Sequence, residues 1–373
     1  MSCIGVLYRT KTEKSPNSDN SINVDLQVNY WKLPKRFFGY WRFLDFGVLV
    51  HDAKDIESIL FYVPFKPKKE DLKDLGHILV QGNLLSVLFN DSYKIEDNPE
   101  IPGYHYASTT RDANKSGFWL YSLSASNFEV HELSVGTLIE VDIKTKPKLK
   151  MGIQNADNDE KENDYNLYFR FRIGDIPDSA LGYIESVSND FFQNAFSKAE
   201  IVNLDINTIS EMDDDDYKNI ASKYSFVNFN KIHFFFVASS KEETIYGSTD
   251  YSDSRLLDSR KWGLYIDSNN PQQRKCIAYH WKKSEPTKNC NILLRTIYSS
   301  VNVLTILKYV FVVLILGVLA SYIVSCMSPK CDCQEYMEKV TNETTLIEHA
   351  PETWGLVVHF GAVQLYWGKS SDS

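Results

Sequence analysis

Apolar and polar residues alternate along much of the first 175 residues of the chain. Every second position of segment 22–30 is apolar and the positions between are polar, which predicts a strand with one buried face. The pattern recurs at 139–143 and at 167–173, where Arg170 and Arg172 take the face opposite the apolar side chains. Strands are also predicted at 40–50, 59–64, 118–123 and 232–238.

Segments with helical periodicity are fewer. Four consecutive carboxylates, Asp213 to Asp216, begin one of them, and we interpret them as a helix cap because acidic side chains stabilise the positive end of the helix dipole. Four consecutive residues cannot all converge on one cation, so a metal site is not expected there. Helices are predicted at 70–90, 180–199, 213–224 and 252–267.

The polar run 155–164 is the best internal boundary. It is typical of a solvated loop or linker, so we predict a strand-rich subdomain at 1–155 and an α+β subdomain at 165–270. Strands with matching alternation lie on both sides of the run, so a single fold with a long hairpin loop remains the alternative.

A charge-free segment, 309–327, follows the part of the chain that is rich in strands. About 20 apolar residues in a helix match the thickness of a bilayer core, so we predict one transmembrane helix at 301–327. The N-terminus carries no apolar region of signal-peptide length, so insertion is expected to use this late span. The fold class is therefore α+β: a strand-rich cytoplasmic domain, one C-terminal transmembrane helix and a short outer tail at 328–373.

Basic residues predict the orientation of this helix. Six lysines and arginines lie between positions 274 and 295, whereas two lysines lie within 15 residues after the span. The positive-inside rule then places the N-terminal part in the cytoplasm and the tail outside. We read 271–300 as a basic juxtamembrane collar. The residues expected at the membrane interface are Trp281, Lys282, Lys283 and Lys308.

Three small residues, Gly317, Ser321 and Ser325, are spaced four apart in the predicted helix. Such a row lets helix backbones approach closely, so we expect a homo-oligomer that associates through this face. Beyond the span, Cys331 and Cys333 are candidates for an intermolecular disulfide, with free or lipidated cysteines as the alternative.

Composition narrows the range of functions. The 373-residue chain has 40 Lys and Arg against 49 Asp and Glu, a formal net charge of −9, and 43% hydrophobic residues, so it is neither disordered nor suited to general nucleic-acid binding. Glycine-rich phosphate loops, nucleophile elbows and paired metal-ligand motifs do not occur in the sequence. We therefore predict no cofactor, no metal and no enzymatic activity.

Binding residues are easier to nominate. Cations mixed with aromatic side chains suit an anionic small molecule or a protein ligand. His233, which opens the apolar run HFFFVA, is instead interpreted as an edge-strand residue. The candidate ligand-binding residues are Lys35, Arg36, Trp41, Arg42, His105, Arg111, Arg170 and Arg172.

Three functions are compatible with these features. The first is a single-pass membrane protein whose cytoplasmic domain is a binding, sensor or scaffold module and which self-associates through its transmembrane helix. The second is a ligand-gated channel or membrane-permeabilising effector that acts as an oligomer, for example in cellular defence. The third is a membrane-tethered enzyme with a site that no motif reveals. The lipid bilayer is a partner in all three.

Overall fold

The computed structural model describes residues 3–11, 22–35, 39–81, 84–99, 101–110, 117–143, 166–186, 197–247, 251–257, 259–266, 275–299 and 303–327. Strands make up 51% of the structure, and helices are few. The chain divides into two compact units, one before Val303 and one beginning there.

The first sheet contains nine strands, seven of them in the order β16-β19-β13-β1-β4-β10-β9. Its N-terminal strand β1 pairs in parallel with β13 and antiparallel with β4. The strands are β1 (Cys3–Thr10), β4 (Ile56–Val63), β9 (Phe128–Glu132), β10 (Thr137–Asp142), β12 (Gly182–Ser186), β13 (Ser197–Ile206), β14 (Ser225–Phe226), β16 (Glu243–Gly247) and β19 (Cys290–Ser299).

The second sheet contains ten strands, nine of them in the order β17-β18-β15-β2-β3-β11-β8-β7-β6, with β5 paired to β11. The strands are β2 (Asn23–Pro34), β3 (Tyr40–Val50), β5 (Leu72–Asp74), β6 (Tyr93–Asp97), β7 (Tyr104–Thr109), β8 (Phe118–Tyr121), β11 (Leu167–Ile173), β15 (Asn228–Ser239), β17 (Asp253–Leu256) and β18 (Cys276–Lys283).

The two sheets pack face to face around the main core. Phe46 from the second sheet meets Phe61 from the first at a ring-centroid distance of 5.1 Å, and Phe171 lies 5.0 Å from the same ring. The apolar positions of segment 22–30 face this core and are fully or almost fully buried. The alternation in the sequence therefore correctly identifies which face of β2 is apolar.

Helices cover the outer faces of the sandwich. On the second sheet, α1 (Gly76–Gln81), α2 (Leu84–Phe89) and α4 (Ser259–Ile266) bury a second apolar cluster. On the first sheet, α3 (Asp214–Ala221) covers a third, smaller cluster. The outer face of β2 at Trp31 and Leu33 thus belongs to the cluster that these helices bury.

Most predicted strands are confirmed, and the predicted helices are confirmed in part. Segment 70–90 contains α1 and α2, and segment 252–267 contains β17 and α4. The helix predicted at 180–199 is wrong, because the described residues of that segment form β12 and the start of β13, which pair with each other. Strands from 1–155 and from 165–270 share both sheets.

The acidic run at the start of α3 caps the helix as predicted. The Asp213 carboxylate accepts hydrogen bonds from the backbone N–H groups of Asp215 and Asp216. Asp216 is itself buried and accepts backbone N–H groups from Ser134 and Gly136 at 2.8 and 2.9 Å. This carboxylate therefore holds the β9–β10 turn against the helix.

The second unit contributes one described helix, α5 (Val303–Met327). Its segment Ile306–Met327 has a mean hydropathy of 2.6 over its most apolar window, and none of that window is buried within the protein. A helix of 22 such residues is long and apolar enough to cross a bilayer.

Candidate ligand-binding cavity

A cavity of about 940 Å³ lies on the outer face of the second sheet. Strands β2, β3, β11, β15 and β18 form its floor, while β17 and the end of α2 form parts of its wall. This volume lies within the range of pockets that hold small organic molecules.

Strand register brings a row of polar residues together on the cavity floor. Gln27 of β2 pairs with His233 of β15, and His233 pairs with Lys282 of β18. On the other side of Gln27, register places Gly47 of β3 and then Arg170 of β11. Residues paired on adjacent strands share a face of the sheet, so the row runs across five strands.

Because Gly47 has no side chain, the side chain of Arg170 on β11 extends across β3. A Cβ atom at Gly47 would lie 2.5 Å from both Arg170 Nη1 and the Tyr168 hydroxyl. Without it, Arg170 Nη1 donates to Gln27 Oε1 at 3.0 Å and to the Tyr168 hydroxyl at 3.1 Å. Gln27 and Tyr168 line the cavity, so the fully buried guanidinium lies immediately beneath its floor.

A second buried polar group adjoins this row. The fully buried Asp45 carboxylate accepts two hydrogen bonds from Arg172, one from Trp31 Nε1 and one from the Tyr265 hydroxyl, at 2.7–3.1 Å. Tyr265 in turn accepts from Arg170 Nε at 2.6 Å. Helix α4 is thereby attached to the sheet through Tyr265.

Two histidines on the floor are held in the neutral form. His233 Nδ1 lies 3.0 Å from His280 Nε2, so one nitrogen donates to the other, and His280 stacks on Phe235 at 4.2 Å. Burial, with the neighbouring His280 and Lys282, lowers the pKa of His233 to about 4. Burial also lowers the pKa of His280. Near neutral pH the pair therefore adds no charge to the cavity.

Charged groups surround these histidines. Lys231, Lys282 and Arg255 line the cavity together with two carboxylates, Asp25 and Asp253. One carboxylate already has a partner, because His51 Nε2 lies 3.0 Å from Asp25 Oδ1. The cavity therefore offers more cationic than anionic groups.

Aromatic side chains form the opposite wall. Phe89, at the end of α2, packs against Tyr93 and Phe118, with ring centroids 5.5–5.8 Å apart. All three residues line the cavity. The site thus combines a polar floor with an apolar wall, which suits a ligand with both kinds of surface.

The structure places Arg170 and Arg172 on the outer face of β11, as the alternation predicts. It corrects the assignment of Arg172 to a ligand-binding site. Arg172 is committed to a bidentate ion pair with Asp45, so its guanidinium is occupied. Arg170 remains associated with the cavity through Gln27 and Tyr168.

The aromatic and basic cluster around β2 and β3 does not form one site. Arg42 is buried between the two sheets and pairs with Glu200 and Asp178, which corrects its assignment to a ligand site. Lys35 and Trp41 are exposed and do not line the cavity. Arg36 lies outside the described residues.

His105 is also separate from the cavity. Its Nδ1 lies 2.7 Å from Asp97 Oδ1, across the β6–β7 pair. Arg111 lies outside the described residues, so its assignment to a ligand-binding site stays a prediction.

The predicted collar at 271–300 largely belongs to the sandwich, since β18 and β19 are strands of its two sheets. The prediction that Trp281 lies at a membrane interface is wrong: it is buried in the inter-sheet core, 5.6 Å from the ring of Phe234. Lys282 lines the cavity. Lys283 is exposed and donates to the Asn289 carbonyl at 3.2 Å.

The remaining predicted residues lie in or after α5. Lys308 is exposed near the start of that helix, and Gly317, Ser321 and Ser325 lie along it. Cys331 and Cys333 lie outside the described residues, so a disulfide stays a prediction.

Sequence reasoning missed most of the cavity residues. The signal is present, because Asp25 and Gln27 occupy polar positions of segment 22–30. The interpretation of His233 as an edge residue is wrong, because β15 lies between β18 and β2. Alternation identifies the polar face of a strand but does not reveal what covers it.

Two other polar clusters lie elsewhere in the sandwich. Between the sheets, the fully buried Lys32 pairs with Glu200 at 2.8 Å and with Glu242 at 3.0 Å. On the first sheet, Glu140 lies near His131 but is already paired with Arg9. Neither cluster adjoins a described cavity.

Known proteins provide no assignment for this site. Neither the models of protein families nor the curated protein sequences contain a significant match to the chain.

Proposed function

We propose that this protein is a membrane-anchored binding protein. Its sandwich binds a small ligand in the cavity on the second sheet, and α5 crosses the membrane and supports self-association. The cavity is the observation that carries this proposal: it combines about 940 Å³ of space with polar groups placed by strand register. The length and hydropathy of α5 support the anchor.

A sensor or scaffold role follows from the same arrangement. The cavity lies in one unit and the predicted anchor in the other. If copies of the protein associate through Gly317, Ser321 and Ser325, a ligand bound in the cavity of the first unit influences the assembly of these copies in the membrane. That association stays a prediction from the spacing of small residues.

Ligand binding is testable by thermal stability. Full-length protein in mild detergent is expected to gain several degrees in Tm on addition of the dialysable small-molecule fraction of the cells that produce it, because a ligand that binds only the folded state stabilises it. Replacing Leu49, which lines the cavity and pairs with the cavity residues Asp25 and Tyr168, by tryptophan should abolish this gain by filling the space.

The matched control is Val135→Trp, at an exposed apolar residue between β9 and β10 on the other sheet. The Tm of this variant should rise as much as that of the wild type. No gain in the wild-type protein, or an equal gain in Leu49→Trp, would contradict the proposed function.

Membrane orientation is testable by thiol labelling of intact cells. Cys3, Cys276 and Cys290 are buried, and burial raises the pKa of Cys3 to about 12 and that of Cys276 to about 11, so these thiols react poorly. A membrane-impermeant maleimide, added after an impermeant reductant, is therefore expected to label the tail cysteines Cys331 and Cys333.

The control replaces Cys331, Cys333 and Cys326, the exposed cysteine in the last turn of α5, by serine and should remove the label. If intact cells are not labelled while lysed cells are, the proposed orientation is inverted. Recovery of the unlabelled protein in the soluble fraction would exclude the anchor itself.

A further inference from the structure

Arg170 is a fully buried cation without a carboxylate of its own. On the outer face of the second sheet, the buried charged residues that the structure describes are Arg170, Arg172 and Asp45. Arg172 takes both oxygens of Asp45. Two guanidinium groups therefore share one carboxylate, which leaves an excess positive charge beneath the cavity.

The direct partners of Arg170 do not neutralise it. They are Gln27, Tyr168 and Tyr265, and each supplies a neutral oxygen. Burial raises the pKa values of both tyrosine hydroxyls, so neither becomes a phenolate near neutral pH. Within the described part of the chain, Arg170 Nη2 has no hydrogen-bond partner.

A buried charge that lacks a counter-charge lowers the stability of the folded state. In this protein the uncompensated charge lies next to a cavity, because Gln27 and Tyr168 contact Arg170 on one side and line the cavity on the other. Lys282 and Lys231 line the same cavity on the far side of Gln27. An anion above Gln27 would be close to all three cations.

We propose that the ligand is an organic phosphate with an aromatic ring, of which a nucleoside monophosphate is the simplest biological case. This inference rests on the proposed function and specifies its ligand class. The phosphate lies over Gln27 and Tyr168, where Arg170, Lys231 and Lys282 supply the positive charge. A phosphate offers several acceptor oxygens, which suits a guanidinium and two ammonium groups together.

The aromatic ring of the ligand packs against the wall formed by Phe89, Tyr93 and Phe118. Aromatic rings in contact are stabilised beyond the burial of their area, and they also exclude water from the neighbouring phosphate. The neutral His233–His280 pair completes the floor on the side of Gln27 that is away from this aromatic wall.

The test uses calorimetric titration of the full-length protein in detergent with AMP, adenosine and inorganic phosphate. AMP is expected to bind at least tenfold more tightly than either of the other two, because each of these provides only part of the ligand. Affinity of AMP equal to that of adenosine, or no binding of AMP, would overturn the inference.

Two variants assign the effect to the cations. Arg170→Met should weaken AMP binding at least threefold without changing the affinity for adenosine, and its Tm without ligand should stay within about 2 °C of the wild-type value because the lost cation has no carboxylate partner. Lys282→Met changes an exposed residue and should weaken AMP binding at least threefold without altering the fold. Arg9→Met, on the other sheet, is the matched control and should bind AMP normally.

An unchanged preference for AMP in both cavity variants would refute the assignment. A failure of this inference can be distinguished from a failure of the proposed function. If the small-molecule fraction stabilises the wild type but not Leu49→Trp, and AMP binds no better than adenosine, the cavity binds a ligand and only the phosphate inference fails.

Discussion

Replacing Asp45 by asparagine is expected to lower the free energy of unfolding by about 3–5 kcal/mol, the range for breaking a buried ion pair on one side. Four donor groups point at this fully buried carboxylate, two from Arg172 and one each from Trp31 and Tyr265. Asparagine has one acceptor oxygen, and its amide group would face donors. Urea unfolding of the full-length protein in detergent measures the change.

The matched control is Asp178→Asn. Asp178 also pairs with an arginine, Arg42, but its side chain is 66% exposed. Exposed ion pairs contribute about 0–1 kcal/mol, so this variant should unfold close to the wild type. Equal effects of the two substitutions would show that Asp45 does not anchor the face of the sheet beneath the cavity.

A double variant separates charge from packing. In Asp45→Leu/Arg172→Leu both members of the ion pair are apolar, so neither is left as a buried charge without the other. This protein should be more stable than Asp45→Asn. If it is less stable, hydrogen bonds to Trp31 and Tyr265 contribute more than the pairing of charges.

Replacing Lys32 by methionine is expected to have an effect of similar size at pH 7, again about 3–5 kcal/mol. The Lys32 ammonium is fully buried between Glu200 and Glu242 and lies 3.5 Å from the ring centroid of Tyr298. Glu200 keeps Arg42 as a partner in the variant. Glu242 loses its cation, so it must remain charged without compensation or bind a proton.

The loss of stability in the Lys32→Met variant should therefore depend on pH. Burial raises the pKa of Glu242 even in the presence of Lys32. Burial also acts to raise the pKa of Glu200, but Lys32 and Arg42 outweigh it and lower that pKa. An acid with a raised pKa binds more protons in the folded state, so stability falls as pH rises above the unfolded value of about 4.5.

In the Lys32→Met variant the raised pKa of Glu242 dominates, and the destabilisation should become smaller as pH falls from 7 towards 5. Glu242→Gln in the same chain should restore part of the stability at pH 7 and remove this dependence. Lys35→Met, at an exposed lysine near the end of the same strand region, should leave the unfolding free energy unchanged. A loss that does not vary with pH would contradict the role of Glu242.

Both clusters show how far sequence reasoning can go. The alternation in 22–30 and 167–173 correctly separates the residues that face the inter-sheet core from those that face outward. It cannot predict that Arg172 meets Asp45, because these residues are 127 positions apart and become neighbours only through β3–β11 pairing. Lys32 and Arg42 similarly acquire their partners from the opposite sheet.

Helix prediction failed where local pattern and strand pairing disagree. Residues 182–186 and 197–206 pair as β12 and β13, although segment 180–199 has a periodicity that suggests a helix. The basic neighbours of Trp281 predict a position at the membrane interface, whereas the register of β18 places its side chain in the inter-sheet core. Pairing with a distant strand overrides a local preference in both cases.

The sequence alone determined the strand-rich character of the first unit, the apolar face of its strands and a C-terminal helix long enough to cross a membrane. These properties follow from local periodicity and length, which do not depend on distant residues. Only the tertiary structure decided that the outer face of β2 is partly covered by α2 and α4 and forms a cavity above Arg170. The reason is that a strand specifies its two faces locally, whereas strands and helices far apart in the chain specify what each face meets.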